Sequence, residues 1–310
     1  MSVALITHPA CLGHDTGPWH PECADRLRAV LAALEGEEFA PLLREAAPEA
    51  SREQLARAHP EDYIEAILAI APEPGESVSL DNDTLMSAGS REAALRAAGG
   101  AVLGVDAVMA GWARAAFVAT RPPGHHAEAR RPMGFCLFAN AAIAAHHARA
   151  QWGVGRVAVV DFDVHHGNGT QEILGSDPLM FYGSSHQFPC YPGTGSAEES
   201  GVVGNVVNAP LAPGSDGAAF RAAWSERILP ALDRFAPGLL IVSAGFDAHK
   251  ADPLAQLRLE VADFTWITGK LLEMADKHCS GRIVSLLEGG YDLGALAACS
   301  AAHMRVLLHG

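Results

Sequence analysis

Side chains suited to metal binding stand close together after two apolar stretches of the sequence. Asp163 and His165 are separated by one residue, and Asp247 follows the second stretch. Residues i and i+2 of an extended segment point to the same side, so Asp163 and His165 can hold one cation, with Asp247 as a third ligand. Three nitrogen and oxygen ligands with one open position are typical of catalytic zinc. A lone Asp-x-His is a weak signal, with a solvated turn as its alternative; Asp247 strengthens the metal interpretation.

Two adjacent histidines, His125 and His126, follow a Pro-Pro-Gly sequence. Imidazole titrates near neutral pH, so a histidine can serve as the general base for an attacking water. Asp161 precedes the first metal-ligand candidate by two residues and can orient one imidazole, while Asn168 can orient the other. For an isolated histidine pair, the alternative is a structural or solvated role.

Tyr291 follows two glycines, and a phenol held by such a turn can donate a hydrogen bond to a developing oxyanion. Its alternative is a half-buried aromatic with a solvated tip. Phe135 and Tyr191 can wall an apolar slot, with core packing as the alternative. The sequence lacks G-x-S-x-G, G-x-x-x-x-G-K-[ST], G-x-G-x-x-G and H-E-x-x-H motifs. Metal-activated water is therefore the nucleophile that the sequence favours.

The elements that position these residues follow from hydrophobic patterning. Short apolar runs predict buried strands at Val3–Thr7, Phe117–Thr120, Val157–Phe162, Leu179–Tyr182, Leu239–Ser243 and Ile283–Leu287. Ala/Leu-rich segments predict helices at Arg91–Met109, Ala139–Gln151, Ala218–Phe235, Val261–His278 and Leu293–Leu308. The alternation predicts an α/β fold with a mostly parallel sheet, in which sites lie at the carboxyl ends of strands. We expect one domain over residues 1–310, with Pro72–Ser77 as a linker or a surface loop.

Composition excludes several classes of protein. The 310 residues are 49% hydrophobic and 19% charged, which excludes a disordered chain, and the formal net charge of −14 argues against a nucleic-acid partner. Six cysteines are scattered without a C-x-x-C pair, which is typical of buried thiols in a reducing compartment. The N-terminus has no signal-peptide pattern and no uninterrupted apolar run is long enough to span a bilayer. We therefore expect a cytoplasmic protein with no membrane partner.

As an ordered set, the motifs resemble the zinc-dependent histone deacetylase family, most closely the class II type and its bacterial relatives. The main motifs are Arg121-Pro-Pro-Gly-His-His-Ala, Gly134-Phe-Cys, Asp161-Phe-Asp-Val-His-His-Gly-Asn-Gly-Thr, Gly245-Phe-Asp-Ala, Asp252-Pro-Leu and Glu288-Gly-Gly-Tyr. Further matches are His20-Pro-Glu, Arg26, His59-Pro-Glu-Asp-Tyr63 and Tyr191-Pro-Gly-Thr-Gly. The resemblance covers nearly the whole chain and implies an arginase/deacetylase fold, with a central eight-stranded parallel sheet flanked by helices.

The resemblance also implies roles for individual residues. One Zn²⁺ would be bound by Asp163, His165 and Asp247, with His126 as general base, His125 as electrostatic support and Tyr291 on the substrate carbonyl. A structural K⁺ would be bound by Asp161, Asp163, His165, Ser184 and the Ser185 carbonyl. The substrate would contact Gly134, Phe135, Tyr191, Leu254, Asp83 and His20, and Arg26 would lie along the channel for acetate. For Asp83, a solvated turn carboxylate is an equal alternative.

The implied reaction removes an acyl group from an acyl-lysine side chain or a small N-acyl amine and releases acetate. Polyamine-specific class II relatives carry Glu at the position of Leu254, so this chain favours acyl-lysine, with an acetylpolyamine amidohydrolase as the alternative. An arginase-like enzyme would need a second set of metal ligands, and a binding module would have lost catalysis. Homo-oligomerisation is left open.

Overall fold

The computed structural model describes residues 2–310, in which ten strands and ten α-helices mostly alternate. The strands are β1 (Val3–Thr7), β2 (Leu43–Ala46), β3 (Ser77–Ser79), β4 (Leu85–Ser87), β5 (Ala115–Val118), β6 (Val157–Asp161), β7 (Met180–Gln187), β8 (Val206–Leu211), β9 (Leu239–Ala244) and β10 (Ile283–Leu287). The helices are α1 (Ala24–Ala33), α2 (Arg52–Leu55), α3 (Glu61–Ala69), α4 (Ser90–Ala110), α5 (Asn140–Trp152), α6 (Asn168–Leu174), α7 (Gly217–Ala223), α8 (Leu229–Phe235), α9 (Val261–His278) and α10 (Leu293–His309).

Eight strands form one parallel sheet in the order β2-β1-β5-β10-β9-β6-β7-β8, while β3 and β4 form a separate antiparallel pair. This arrangement confirms the expected eight-stranded parallel sheet. The strands that precede the candidate catalytic residues, β5, β10, β9 and β6, are neighbours in its centre. Because parallel strands end at the same edge, the residues that follow these four strands meet there.

The central strands are buried on both faces. On one face, Phe117 and Val242 belong to a core shared with α1, α9 and α10. On the other, Val118 and Ile241 belong to a core shared with α4 and α5. Strands covered on both faces read as continuous apolar runs, which is why the sequence predicts these four strands within a few residues.

The edge strands differ from the sequence prediction. Leu43–Ala46 and Val206–Leu211 form β2 and β8, and neither is predicted. All of β2 is exposed and its sequence carries two charges, so it lacks the apolar signal of a buried strand. The helix predicted over Ala218–Phe235 contains a π-helical turn at Trp224–Ile228 between α7 and α8. The Pro/Gly-rich stretch is an exposed connection between α3 and β3.

Helix α4 is long and apolar enough to cross a membrane by length and composition, although its sequence is interrupted by charges. In the structure, 67% of an apolar 18-residue stretch of this helix is buried inside the molecule. A Cβ on Gly100 would lie 2.9 Å from Val118 of β5, and one on Gly104 would lie 2.9 Å from Val284 of β10. These glycines therefore let α4 pack closely on the sheet.

Candidate active site

Asp163, His165 and Asp247 lie together beyond the ends of β6 and β9. His165 Nδ1 is 3.1 Å from Asp163 Oδ1 and 3.2 Å from Asp247 Oδ2. One ligand atom of each residue lies within 4.8 Å of the others, and all three residues are buried. This spacing suits coordination of a single cation.

A bend after β6, and not an extended segment, brings the first two of these residues together. The Asp163 N–H donates to Asp161 Oδ1 at 3.0 Å, and the His165 N–H donates to Asp163 Oδ1 at 2.9 Å. The Val164 N–H between them donates to Asp247 Oδ1 at 2.8 Å. The structure brings the predicted pair together, but through a turn closed by aspartates that accept nearby backbone N–H groups, so the i and i+2 geometry of an extended strand does not apply.

Glycine backbone surrounds the two carboxylates. The Gly289 N–H donates to Asp163 Oδ2 at 2.8 Å. A Cβ on Gly289 would overlap the carboxylates of Asp163 and Asp247, and a Cβ on Gly245 would overlap that of Asp163. Burial and the neighbouring charge of Asp163 raise the pKa of Asp247 to about 7. Two buried carboxylates and an imidazole at this spacing form a donor set that a divalent cation such as Zn²⁺ fits.

The adjacent histidines occupy different electrostatic environments. His125 Nδ1 is 3.0 Å from Asp161 Oδ2, and His126 Nδ1 is 2.8 Å from Asn168 Oδ1. Burial opposes a charge on His125, but Asp163 and Asp161 outweigh it and raise its pKa to about 10. Burial and the charge of His125 lower the pKa of His126 well below its usual range. These surroundings favour a charged imidazole at His125 and a neutral one at His126, whose Nε2 is left available as a proton acceptor.

Glu288 holds the segment that carries this histidine pair, a role that sequence reasoning missed. Its Oε2 accepts the N–H groups of Gly124 at 2.8 Å and His125 at 3.2 Å. Its Oε1 accepts the Ser243 hydroxyl at 3.1 Å. The sequence signal that could have revealed this role is the position of Glu288 directly after the apolar strand β10. A carboxylate buried there needs hydrogen-bond partners.

A cavity of about 230 Å³ leads to the metal-ligand cluster. Its lining comprises Asp83, His126, Gly134, Phe135, His165, Tyr191, Leu254 and Tyr291. The Tyr191 ring lies 5.1 Å from that of His126, and the Tyr291 ring lies 5.9 Å from that of Phe135. All eight lining residues are predicted site residues: the proposed base His126 and seven others. Segments that are far apart in the sequence therefore meet around one cavity.

Tyr291 is fixed through its backbone. Its N–H donates to Asp252 Oδ2 at 2.8 Å, while Asp252 Oδ1 accepts the Leu254 N–H at 3.0 Å. Burial raises the pKa of the Tyr291 phenol well above its usual range, so the hydroxyl keeps its proton and can donate it in a hydrogen bond. Asp252 lies in a motif noted in the sequence, but its role of joining the cavity mouth to Tyr291 needs the structure.

A turn with positive φ aims Phe135 into the cavity. Gly134 has φ 55° and Phe135 has φ 69°, and a Cβ on Gly134 would overlap the His126 ring. The Phe135 N–H donates to Thr84 Oγ1 at 3.1 Å, which helps to hold a conformation that non-glycine residues rarely adopt. His20 supports the Phe135 ring from 4.7 Å and its Nε2 lies 3.0 Å from the Asp83 carbonyl oxygen. The sequence predicts that His20 contacts the substrate, but in the structure it lies behind the cavity lining and supports Phe135 and Asp83.

The remaining predicted site residues lie deeper. Ser184 is the register partner of Asp161 across β6 and β7, and its Oγ is 2.9 Å from His186 Nδ1. The Ser185 hydroxyl accepts the Trp224 indole N–H at 2.9 Å. Arg26 is fully buried, with its guanidinium 4.8 Å from the centre of the Tyr291 ring.

The strand-end location, the metal-ligand cluster and the narrow apolar cavity are typical of the active site of a metal-dependent enzyme. Comparison with known proteins agrees: the model of the histone deacetylase domain matches residues 20–307. The chain therefore belongs to the histone deacetylase family, and the resemblance seen in the sequence is confirmed.

Individual relatives span most of the chain. The histone deacetylase-like amidohydrolase of Pseudomonas aeruginosa is 41% identical over 303 residues, covering 96% of this chain and 77% of that protein. An uncharacterised protein of Synechocystis sp. is 43% identical over 310 residues, covering 99% of each chain. The crystal structure of the HDA15 HD domain superposes with a TM-score of 0.92 at 35% identity, covering 99% of this chain and 88% of that one.

Proposed function

We propose that this protein is a zinc-dependent hydrolase that removes acyl groups, acetyl among them, from lysine side chains or related N-acyl amines. The observation that carries the proposal is the arrangement at the cavity floor. There, three metal-ligating side chains meet a neutral, hydrogen-bonded imidazole beneath two aromatic walls. Family membership supports the amide-hydrolysing reaction, and the donor set supports the metal.

Asp163, His165 and Asp247 would hold the metal. When bound, zinc supplies a Lewis acid for the substrate carbonyl and lowers the pKa of water. Among residues 2–310, this is the single His/Cys/Asp/Glu group with metal-binding geometry. That count favours a one-metal reaction over the two-metal chemistry of arginase-like enzymes.

His126 is the proposed general base. Its Nδ1–H donates to Asn168 Oδ1, which leaves Nε2 to take the proton of the attacking water and then to give a proton to the leaving amine. A neutral resting state is required for this step, and burial beside cationic His125 favours it. His125, held by Asp161, contributes positive charge near the reacting atoms.

Tyr291 is the proposed oxyanion donor. Its phenol stays protonated, and the Gly289-Gly290 turn and Asp252 fix its backbone. A hydroxyl held in place before the reaction stabilises the charge that develops on the substrate oxygen without reorganising.

The shape of the cavity supports an extended acyl-amine substrate. Phe135 and Tyr191 provide apolar surface for the methylene stem of a lysine. Leu254 is 38% exposed at the mouth, where a carboxylate would be needed to receive the second ammonium of a polyamine. The half-buried Asp83 also lines the cavity and gives the acetylpolyamine alternative its one specific support.

Two further features belong to the proposal. A potassium ion beside Asp161 and Ser184 would balance the buried negative charge near the metal ligands. The whole chain would act as one catalytic domain in the cytoplasm. The single eight-stranded sheet supports the single domain, because its carboxyl edge carries every proposed catalytic residue.

The test is release of free amine from an acetyl-lysine peptide and from an acetylated polyamine, measured side by side with zinc present. We expect faster cleavage of the peptide. A clear preference for the polyamine would overturn the acyl-lysine assignment, and no cleavage of either would overturn the proposed function.

A further inference from the structure

A buried carboxylate away from the metal ligands joins two arginines. Glu22 is 0% exposed; its Oε1 lies 3.1 Å from Arg26 Nη1, and Arg121 donates to both of its oxygens, with Nη2 2.6 Å from Oε2. Burial opposes the charge of Glu22, but Arg121 outweighs it and lowers the pKa of the carboxyl to about 2. Glu22 is therefore an anion shared by two guanidinium groups.

The first arginine is bonded to the turn that carries the proposed oxyanion donor. Arg26 Nε donates to the Gly290 carbonyl at 2.6 Å, and Nη2 donates to the Glu288 carbonyl. Its guanidinium lies over the Tyr291 ring. Arg26 thus connects Glu22 to the backbone of this turn.

The second arginine begins the segment that carries the proposed base. Arg121 stands four residues before His125, and its Nη1 donates to the carbonyls of Cys11 at 3.0 Å and His14 at 3.2 Å. These bonds and the bidentate contact with Glu22 fix the start of the segment in the interior.

Glu288 closes the connection on the other side. Its backbone carbonyl accepts from Arg26, while its carboxylate accepts the N–H groups of Gly124 and His125. Buried hydrogen bonds thus link Glu22 through Arg26 to the tyrosine turn and Glu288 to the histidine segment, and the backbone from Arg121 to His125 connects that segment back to Glu22.

We propose that Glu22 is a positioning residue, which fixes the distance between the Tyr291 hydroxyl and the His126 imidazole through Arg26 and Arg121. This inference rests on the proposed function. Stability alone is a weak reason for such a group, because desolvation of a buried ion pair offsets most of its attraction and apolar packing can stabilise a core as well. A network that links two catalytic segments instead fixes their relative position. Misplacement of a catalytic group by about 1 Å can lower the rate about 10²-fold.

The test is a double-mutant cycle on kcat and KM with an acetyl-lysine peptide. Glu22→Gln keeps the size of the side chain but removes its charge and one acceptor. We expect kcat to fall by about 10- to 100-fold, with KM changed by less than about threefold and the bound-zinc content unchanged. In a Tyr291→Phe background the same substitution should cost clearly less, because the group whose position it controls no longer donates.

Asp263→Asn is the matched control. Asp263 is also a buried carboxylate bound to an arginine, with Arg221 Nε 2.9 Å from its Oδ1, but it lies at the start of α9. We expect it to lower the melting temperature and leave kcat unchanged. If Glu22→Gln does not yield folded protein, Glu22→Asp keeps the charge with a shorter reach, and the same non-additivity is expected.

An equal fold-loss in both Tyr291 backgrounds, or a lower melting temperature with an unchanged kcat, would overturn the positioning role and make Glu22 structural. Wild-type protein that cleaves neither the peptide nor an acetylated polyamine would overturn the proposed function, and this inference with it. The activity of the wild type therefore separates the two failures.

Discussion

The floor and the mouth of the cavity are built in opposite ways. At the floor, His126, Asp163 and Asp247 are buried, and each has a hydrogen-bond partner in the segments that follow the central strands β6 and β10. At the mouth, Tyr191 is 39% exposed, and Trp19, next to His20, is 94% exposed. The floor is thus held by the sheet, whereas the mouth consists of loops.

We expect this difference to separate the groups that carry out the reaction, at the floor, from the groups that select the substrate, at the mouth. Groups that must hold a metal or move a proton need fixed geometry, which the ends of packed strands supply. Groups that choose among substrates can lie on loops, where substitutions cost little stability. We therefore expect floor substitutions to change kcat strongly and mouth substitutions to redistribute activity among substrates.

The largest effect is expected for Asp247→Asn. The substitution removes a charged ligand from the three-residue cluster, so both bound zinc and acyl-lysine hydrolysis should fall below detection. Metal content and acetate release from the same preparation measure this. The control is Asp216→Asn, which weakens the cap of α7 and should keep both. Full activity of the Asp247 variant would exclude it as a ligand.

Tyr291→Phe tests the oxyanion role at the floor. The ring and its packing beside Phe135 remain, but the hydroxyl donor is lost. We expect kcat to fall by about 10²- to 10³-fold with a nearly unchanged KM. Steady-state kinetics with an acetyl-lysine peptide measure this, and an undiminished kcat would remove Tyr291 from the mechanism.

The buried histidine His303 should make the stability of the fold sensitive to acid. Burial lowers the pKa of His303 to about 3, below the value of about 6.5 in an unfolded chain. The unfolded state therefore binds more protons between about pH 6.5 and 3, and the free energy of unfolding falls as the pH drops through that window.

For His303 alone, the loss between pH 7.5 and pH 5 should be about 2 kcal/mol. Denaturant unfolding of wild type and His303→Asn at both pH values measures it. The stability difference between the two proteins should shrink by that amount at pH 5. A pH-independent difference would show that His303 does not titrate in this way.

The smallest expected effect lies at the mouth. Leu254→Glu would place a carboxylate at the cavity mouth, where it could pair with the second ammonium of a bound polyamine. We expect the ratio of kcat/KM for acetylpolyamine over acetyl-lysine peptide to rise about 5- to 10-fold. Leu293→Glu is the control, since Leu293 is 40% exposed at the start of α10. An equal shift in the control would assign the effect to net charge.

The sequence predicts the floor better than the supports around it. Strands β6 and β9 are buried on both faces and therefore readable as apolar runs, so the residues after them could be placed at one edge. The linked roles of Glu22, Asp252 and Glu288 join residues far apart in sequence, and no local pattern encodes such contacts. Likewise, β2 is exposed and polar, so only its pairing with β1 identifies it.

The most direct measurement is acetate release from an acetyl-lysine peptide by protein stripped of metal and then titrated with zinc. We expect no hydrolysis by the stripped protein and recovery that saturates at one zinc ion per chain. Hydrolysis that persists without metal, or saturation at two ions per chain, would contradict this expectation.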